Sequence, residues 1–128
     1  MPTLRHTAPM GLDLEAIDID CNDPERVGRF WAEVFGAELS GPEDDMWWLT
    51  AAGSRPELLF CRVPEGKAVK NRVHLDLRPT DQDAEVRRLE SLGARRVDIG
   101  QGDVTWVVMA DVEGNEFCVL RARPAAGA

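Results

Sequence analysis

The feature that most constrains the fold of this chain is an internal repeat. Residues 14–20 and 71–77 both alternate apolar and polar side chains, which is typical of a half-buried strand. Each stretch is followed by an aspartate, Asp23 in the first copy and Asp81 in the second, and the two stand 58 residues apart (81 − 23 = 58). Such a spacing predicts two copies of one supersecondary module that pack against each other.

The first copy predicts a strand, a helix and three further strands. The strand covers residues 14–21, and Asp23 and Pro24 form a helix start, because aspartate caps a helix and proline fits its first turn. Apolar residues then recur with helical spacing until Gly36, a residue type that ends helices in a left-handed conformation. The apolar stripe consists of Val27, Phe30, Trp31, Val34 and Phe35. The further strands are predicted at residues 37–40, 46–52 and 57–63.

The second copy repeats this order after a polar linker at residues 64–70. A strand is predicted at residues 72–78 and a helix at residues 80–92, with Gly93 as its stop. Three strands follow, at residues 94–99, 104–110 and 116–121. The sequence therefore predicts an α+β fold, in which one domain over residues 1–128 contains two βαβββ modules at residues 12–63 and 71–121.

The charge of the chain limits its partners. Fifteen basic and 23 acidic residues give a formal net charge of −8, whereas nucleic acids and anionic membranes attract basic patches. We expect neither as a partner, and no apolar run approaches the roughly 20 residues that span a bilayer. The three cysteines, Cys21, Cys61 and Cys118, form no even set for disulfides, which favours free thiols in a cytoplasmic setting.

Strand alternation predicts one unusually polar sheet face. Successive side chains of a strand point to opposite faces, so the isoleucines and leucines of these strands are expected against the helices. The opposite face would carry Ala16, Asp18, Asp20, Cys61, His74, Asp76 and Cys118. His74 follows Ala16 by one repeat (74 − 16 = 58), so the second copy has a histidine where the first has an alanine.

These motifs resemble the vicinal oxygen chelate superfamily, which includes glyoxalase I, bleomycin-resistance proteins and extradiol dioxygenases. The likeness runs from about Leu14 to Leu120 and is carried by residues 23–24, 30–31, 35–36, 71–77, 92–94 and 111–117. The resemblance implies a curved mixed sheet in each module, helices outside, and a cup between the modules that holds a small molecule. It also implies a homodimer, in which modules pair within one chain or by exchange between two chains.

The resemblance also implies where a metal would bind. The superfamily takes its ligands from the first and fourth strands of each module, and these positions fall on Ala16, Cys61, His74 and Cys118. Two thiolates, an imidazole and an open position suit zinc, so His74, Cys61 and Cys118 are a candidate metal site. Cysteine also serves as a small buried hydrophobe, and only His74 is a usual ligand of the superfamily. We therefore expect no cofactor, with a divalent metal (zinc, nickel or iron) as the alternative.

Two other sets of residues could serve a ligand. Histidine titrates near neutral pH, so His74 with Asp76 or Asp18 could act as an acid/base group or anchor a ligand, or it could be structural. Aromatic side chains suit a flat or apolar ligand, which would be cationic if carboxylates lie near. Such a wall could be formed by Trp47, Trp48 and Trp106, which could equally pack as core, as expected for Trp31.

Three hypotheses about function follow. The first is a glyoxalase-like protein that binds or sequesters a small molecule without the usual metal. The second is a metal-dependent lyase or isomerase of glyoxalase type with His74 as a ligand, and the third is metal-free acid/base catalysis by His74 with Asp76. Besides these two residues, the ligand is expected to contact Asp18, Trp47, Trp48, Trp106, Cys61 and Cys118.

Overall fold

Each half of the chain forms a four-stranded sheet with one helix in the computed structural model, which describes residues 11–53 and 55–123. The first half consists of β1 (Ala16–Cys21), α1 (Pro24–Phe35), β2 (Ser40–Glu43), β3 (Met46–Leu49) and β4 (Glu57–Arg62). Its strands lie in the order β1-β4-β3-β2. The sheet is mixed, because β1 runs parallel to β4 while the other neighbours are antiparallel.

The second half repeats this topology with shorter strands. It consists of β5 (Asp76–Leu77), α2 (Gln82–Ser91), β6 (Arg95–Arg96), β7 (Val107–Ala110) and β8 (Glu116–Val119). These strands lie in the order β5-β8-β7-β6, again with the first strand parallel to the last. The predicted α+β fold with two βαβββ modules is therefore confirmed.

The strand predicted at residues 72–78 is much shorter in the structure. Only β5 is paired as a strand, and His74 precedes it. Upstream of β5, the amide of Asn71 donates to the side chain of Glu116 (2.8 Å), so the chain is tied to β8 there by a side chain and not by strand pairing.

Two other strand predictions are corrected by local hydrogen bonds. The strand predicted at residues 37–40 is wrong, because the amide of Ala37 still donates to a carbonyl of α1 (2.9 Å) and β2 begins only at Ser40. The strand predicted at residues 94–99 is reduced to β6. Its second half turns away where the side chain of Asp98 accepts the amide of Gly100 (2.8 Å).

Both helices begin at an aspartate cap, which the sequence predicts for Asp23 in the first helix. The side chain of Asp23 accepts the amide of Arg26 (3.1 Å), and Asp81 caps α2 in the same way. Gly36 ends α1 with a φ of 61°, a backbone conformation that glycine adopts at little cost. Within residues 11–53 and 55–123, no helix has the length and apolar character needed to cross a membrane.

One apolar core joins the two halves. Trp31 of α1 is 1% exposed and contacts Phe117 of β8 edge-on, with ring centroids 5.0 Å apart. Such aromatic contacts are favourable beyond the area that they bury. The buried core comprises Cys21, Val27, Phe30, Trp31, Ala32, Leu49, Leu58, Phe60, Val86, Leu89, Ala94, Met109, Phe117 and Val119.

Both ends of α1 are held by side chains of the second half. The carboxylate of Glu113 accepts the amides of Asn22 (2.8 Å) and Asp23 (2.7 Å) at the start of the helix. At the other end, the guanidinium of Arg88 donates to two carbonyl oxygens of the last turn (3.1 and 3.0 Å). An acid at the amino end and a base at the carboxyl end complement the helix dipole, so these contacts favour one orientation of the two halves.

Candidate functional site

Two cavities open at the junction of the two sheets, and Ile17 and Leu75 line both. The first, of about 390 Å³, lies between β1, the linker after β4 and the turn before β8. We name it the acidic cavity, because its lining includes Asp18, Asp20, Glu65, Asp111, Glu113 and Glu116. The second, of about 420 Å³, lies between the two helices and the sheets. We name it the arginine cavity, because its lining includes Arg55, Arg78 and Arg88.

The acidic cavity also has an apolar wall. β1 is an edge strand, so side chains from both of its faces reach the cavity at the sheet edge. Ile17 and Ile19 contribute from the helix side, together with Trp31 of α1 and Phe117 of β8. The cavity therefore combines apolar surface with carboxylates, and its volume lies in the range of small-molecule pockets, about 300–1,000 Å³.

Three carboxylates of the acidic cavity are bound within the protein. Asp111 is 3% exposed and accepts the indole N–H of Trp31 (3.1 Å). Glu113 accepts the amides at the start of α1. Glu116 pairs with the ammonium of Lys67 (3.1 Å). These carboxylates hold the walls of the cavity in place.

Three other carboxylates of the acidic cavity have no cationic partner in the described part of the chain. Asp18, Asp20 and Glu65 are exposed, and within the described residues they take part in no ion pair. Lys67 is the only lysine, arginine or histidine among the described residues that line this cavity, and Glu116 binds it. A concave surface with one sign of uncompensated charge attracts ligands of the opposite sign, so the cavity favours a cation.

The pH dependence of stability can test whether the charge of Glu116 stabilises the protein. Burial disfavours its charge, but the amide of Asn71 and the ammonium of Lys67 bind the carboxylate and hold its pKa below the ordinary value of 4.5. A carboxyl whose pKa is lowered by folding stabilises the protein above its unfolded pKa, and that stability is lost as the pH falls through the folded pKa. Glu116→Gln should therefore lower the free energy of unfolding at neutral pH, and the loss should shrink below about pH 4.5.

Urea unfolding of wild type and Glu116→Gln, at neutral pH and at about pH 3.5, measures both differences. Glu38→Gln is the matched control, because Glu38 is exposed and makes no ion pair in the part of the chain that the structure describes. A loss of the same size at both pH values would contradict the stabilising role of the Glu116 charge.

The half-buried His74 lines neither cavity. Its Nε2 lies 3.0 Å from the carbonyl oxygen of Asn71 and 3.4 Å from Nζ of Lys70. Among the described residues, neither Asp76 nor Asp18 forms a hydrogen bond with the ring. The acid/base pair that the sequence suggested is therefore not hydrogen-bonded in the described part of the chain.

Each module carries a thiol near a carboxylate at equivalent positions. Cys61 lies near Asp18, and one repeat later Cys118 lies near Asp76. Burial and then Asp18 raise the pKa of Cys61 to about 11, and burial and then Asp76 raise the pKa of Cys118. Cys21 is a core residue, and burial together with nearby carboxylates raises its pKa to about 12. Protonated thiols are weak nucleophiles, so the cysteines favour binding over covalent chemistry.

The positions that the resemblance marks for a metal do not fit zinc, nickel or iron in this structure. Ala16 has no donor atom, and Nε2 of His74 faces a backbone carbonyl and an ammonium. Cys61 and Cys118 lie near different carboxylates. Over residues 11–53 and 55–123, no three histidine, cysteine, aspartate or glutamate side chains gather as a metal-binding group.

The tryptophans proposed as ligand contacts line neither cavity. Trp47 faces α1, where the guanidinium of Arg29 lies 5.8 Å from its ring centroid. Trp48 follows it in β3 and points to the opposite face, and Trp106 is 39% exposed before β7. Trp31 was expected in the core, and it both packs there and lines the acidic cavity.

Of the site residues predicted from the sequence, Asp18 lines the acidic cavity and Asp76 lines the arginine cavity. Sequence reasoning missed Glu65 and Lys67, because they lie in the linker, where no periodic pattern marks a face. Glu116 could have been found, since it precedes Cys118 by two residues in β8 and so points to the same face.

The family and structural relatives of the chain agree with this fold. A family model described as a glyoxalase-like domain matches residues 16–120. None of the curated proteins compared with the chain matches it. Among solved structures, the chain is similar to a glyoxalase/bleomycin resistance protein/dioxygenase family enzyme from Burkholderia phytofirmans PsJN, at 18% identity and a TM-score of 0.65. This likeness covers 84% of the present chain and 97% of the other.

Two further solved structures have the same fold. TnmS3, an antibiotic binding protein from Streptomyces sp. CB03234, is 20% identical with a TM-score of 0.63, over 90% of this chain and 100% of that one. A mutant of the fosfomycin resistance protein FosX from Listeria monocytogenes, solved in complex with Mn(II), is 14% identical with a TM-score of 0.67. It matches over 89% of this chain and 95% of its own.

These structural likenesses concern the fold, because the sequence identities are low. The family match supports membership as well as fold, because it extends from the first residue of β1 to the residue after β8 and so includes both modules. The chain therefore belongs to the glyoxalase-like domain family, within the vicinal oxygen chelate superfamily.

Proposed function

We propose that this protein binds a small organic cation with an apolar body in the acidic cavity, without the metal typical of its superfamily. Membership of the glyoxalase-like domain family supports the binding of a small molecule. The observation that carries the proposal is the uncompensated charge of the cavity. Asp18, Asp20 and Glu65 have no cationic partner in the described chain, while the one lysine of the cavity is bound to Glu116.

The apolar wall suggests the body of the ligand. Ile17, Ile19 and Leu75 of the lining are half-buried and give the cavity apolar surface, whereas Trp31 and Phe117 are each 1% exposed. This apolar surface and the carboxylates together favour an organic cation. Buried hydrophobic contact would contribute affinity, and the carboxylates would select for positive charge.

Binding without turnover is the form of this function that the site chemistry favours. The thiols near the cavity have raised pKa values, and His74 lies outside the lining. TnmS3, which shares the fold, is described as an antibiotic binding protein, and this supports sequestration of a small molecule as the role.

The proposal can be tested with 10-methylacridinium, a planar cation, and with neutral acridine, which has a similar shape. Isothermal titration calorimetry should show that the cation binds more tightly and that added salt weakens it. The triple variant Asp18→Asn, Asp20→Asn, Glu65→Gln should weaken binding of the cation about tenfold to hundredfold, because it removes the charges that face the ligand.

The matched control removes three carboxylates elsewhere, in Glu38→Gln, Asp83→Asn, Asp103→Asn. These residues are exposed and lie outside the acidic cavity, so the control should keep the affinity of wild type apart from a small long-range effect. Equal affinity for acridine and its methylated cation, or equal effects of the two triple variants, would contradict the proposal.

The metal-free part of the proposal has a separate test. Elemental analysis of protein purified without chelator should find no stoichiometric metal. Zinc, nickel or iron that is bound in wild type and lost in His74→Ala would contradict this part and favour the metal-dependent lyase or isomerase.

The homodimer and the cytoplasmic setting stay predictions. The junction cavities form here within one chain, but the same halves could also pair by exchange between two chains. The mass in solution, measured by light scattering against the 14.2 kDa of one chain, should show a dimer. A monomer at all concentrations would contradict this prediction.

A further inference from the structure

The arginine cavity has no part in the cation binding proposed above. It lies on the helix side of the junction, away from the free carboxylates of the acidic cavity. Its apolar walls come from both halves of the chain, including Val34, Phe35, Leu58, Leu77, Leu89 and Val119. A mainly apolar cavity of this size with a few convergent polar groups is typical of a small-molecule site.

One arginine of this cavity already has its charge compensated within the protein. Arg88 forms a two-pronged ion pair with Glu85, at 3.1 and 3.0 Å, and it also donates to two carbonyl oxygens at the end of α1. The charge of Glu85, which also lines the cavity, is thereby compensated. Neither residue leaves charge for a ligand.

The other two arginines lack a carboxylate partner among the described residues. Arg55 donates to the carbonyls of Thr50 (2.8 Å) and Pro56 (3.1 Å), and Arg78 donates to that of Arg121 (2.8 Å). A guanidinium has five N–H donors, so both keep donors for a further acceptor. Two unpaired arginines at one cavity are notable in a chain whose formal net charge is −8.

Two contacts shape what these arginines would bind. The guanidinium of Arg55 lies 5.0 Å from the ring centroid of Phe35, which places positive charge against an aromatic wall. The remaining carboxylate of the lining, Asp76, is exposed and lies near the thiol of Cys118 in the second sheet. Among the described residues, the lining therefore has two unpaired positive charges, on Arg55 and Arg78, against one unpaired negative charge, on Asp76.

We propose that the arginine cavity is a second ligand site, which takes a small monocarboxylate with a flat apolar body. The carboxylate would accept N–H groups from Arg55 and Arg78, since guanidinium groups match the planar geometry of carboxylates. The body would lie between Phe35 of α1 and Leu89 of α2. Because both halves of the chain form the walls, such a ligand would also hold the two modules together.

The test uses 2-naphthoate and 2-naphthalenemethanol, which differ mainly in charge. Calorimetry should show binding of the carboxylate and much weaker binding of the alcohol. The double variant Arg55→Gln, Arg78→Gln should lower the affinity for naphthoate about tenfold to hundredfold. It should leave the weak binding of the alcohol unchanged. The control Arg72→Gln, Arg87→Gln removes the same charge from exposed arginines outside the lining and should keep the affinity.

Loss of the Arg55 contacts could disturb the turn before β4, so the single variant Arg78→Gln is also measured. It keeps those contacts and should still lower the affinity for naphthoate. In methyl-labelled protein, naphthoate should shift the NMR signals of Leu89 and Val119 but not that of Ile19. Absence of naphthoate binding, equal binding of the alcohol, or equal effects of the two double variants would overturn the proposal.

The two ligand sites can fail independently. The triple variant that removes the carboxylates of Asp18, Asp20 and Glu65 should keep its affinity for naphthoate, because these groups line the other cavity. Loss of naphthoate binding in that variant would overturn the assignment of naphthoate to the arginine cavity. Failure of methylacridinium to bind would leave the result with naphthoate unaffected.

Discussion

Replacing Trp31 with alanine should lower the free energy of unfolding by about 3–5 kcal/mol, the usual cost of removing a large buried aromatic side chain. Trp31 is 1% exposed and contacts Phe30 and Phe35 in its own helix and Phe117 in the second half of the chain. The cavity left by the substitution would open between the two modules, where neither sheet can close it alone. Urea unfolding followed by circular dichroism measures the loss.

Trp106→Ala is the control for Trp31→Ala, because Trp106 is 39% exposed. It should cost about 1 kcal/mol or less, as surface substitutions generally do. Trp31→Phe separates packing from hydrogen bonding, since it keeps most of the apolar volume and loses the indole N–H. A cost of Trp31→Ala no larger than that of Trp106→Ala would contradict the view that this side chain joins the two modules.

The fold could be predicted from the sequence because its signals are local and occur twice. The caps at Asp23 and Asp81 and the stop at Gly36 depend on residues within one turn of the helix. The strand β5, which came out shorter than predicted, is flanked by a contact with a side chain far away in the sequence. The amide of Asn71 donates to the side chain of Glu116, which lies 45 residues away in the sequence. The alternation of apolar and polar residues along a strand does not predict such a contact.

The candidate site was less predictable, because it forms where distant segments meet. Strand alternation places Asp18 beside a sheet edge, but Glu65 and Lys67 reach the same cavity through a linker without periodicity. The aromatic pattern was misleading for a similar reason. Trp31 has the spacing of a core residue, and only the packing of α1 on the second module also brings it to the acidic cavity.

Replacing Asp111 with alanine should lower the free energy of unfolding by about 3 kcal/mol, because one buried and three half-buried N–H groups would lose their acceptor at once. Asp111 is 3% exposed and carries no ion pair among the described residues. Its carboxylate accepts the indole N–H of Trp31 (3.1 Å), the amide of Glu113 (2.9 Å), and both the amide (3.0 Å) and the side-chain NH₂ of Asn115. Asp111→Asn keeps one acceptor oxygen and should cost less.

The effect of Asp111→Ala should depend on Trp31, and this dependence distinguishes an inter-module role from a role in the turn alone. In a double-mutant cycle with Trp31→Phe, the two losses should overlap by about 1 kcal/mol, because both remove the same hydrogen bond. The turn also carries Glu113, which holds the start of α1, so Asp111→Ala should weaken the docking of the two halves. Losses that simply add, or a cost of Asp111→Ala below that of the exposed control Asp103→Asn, would contradict this account.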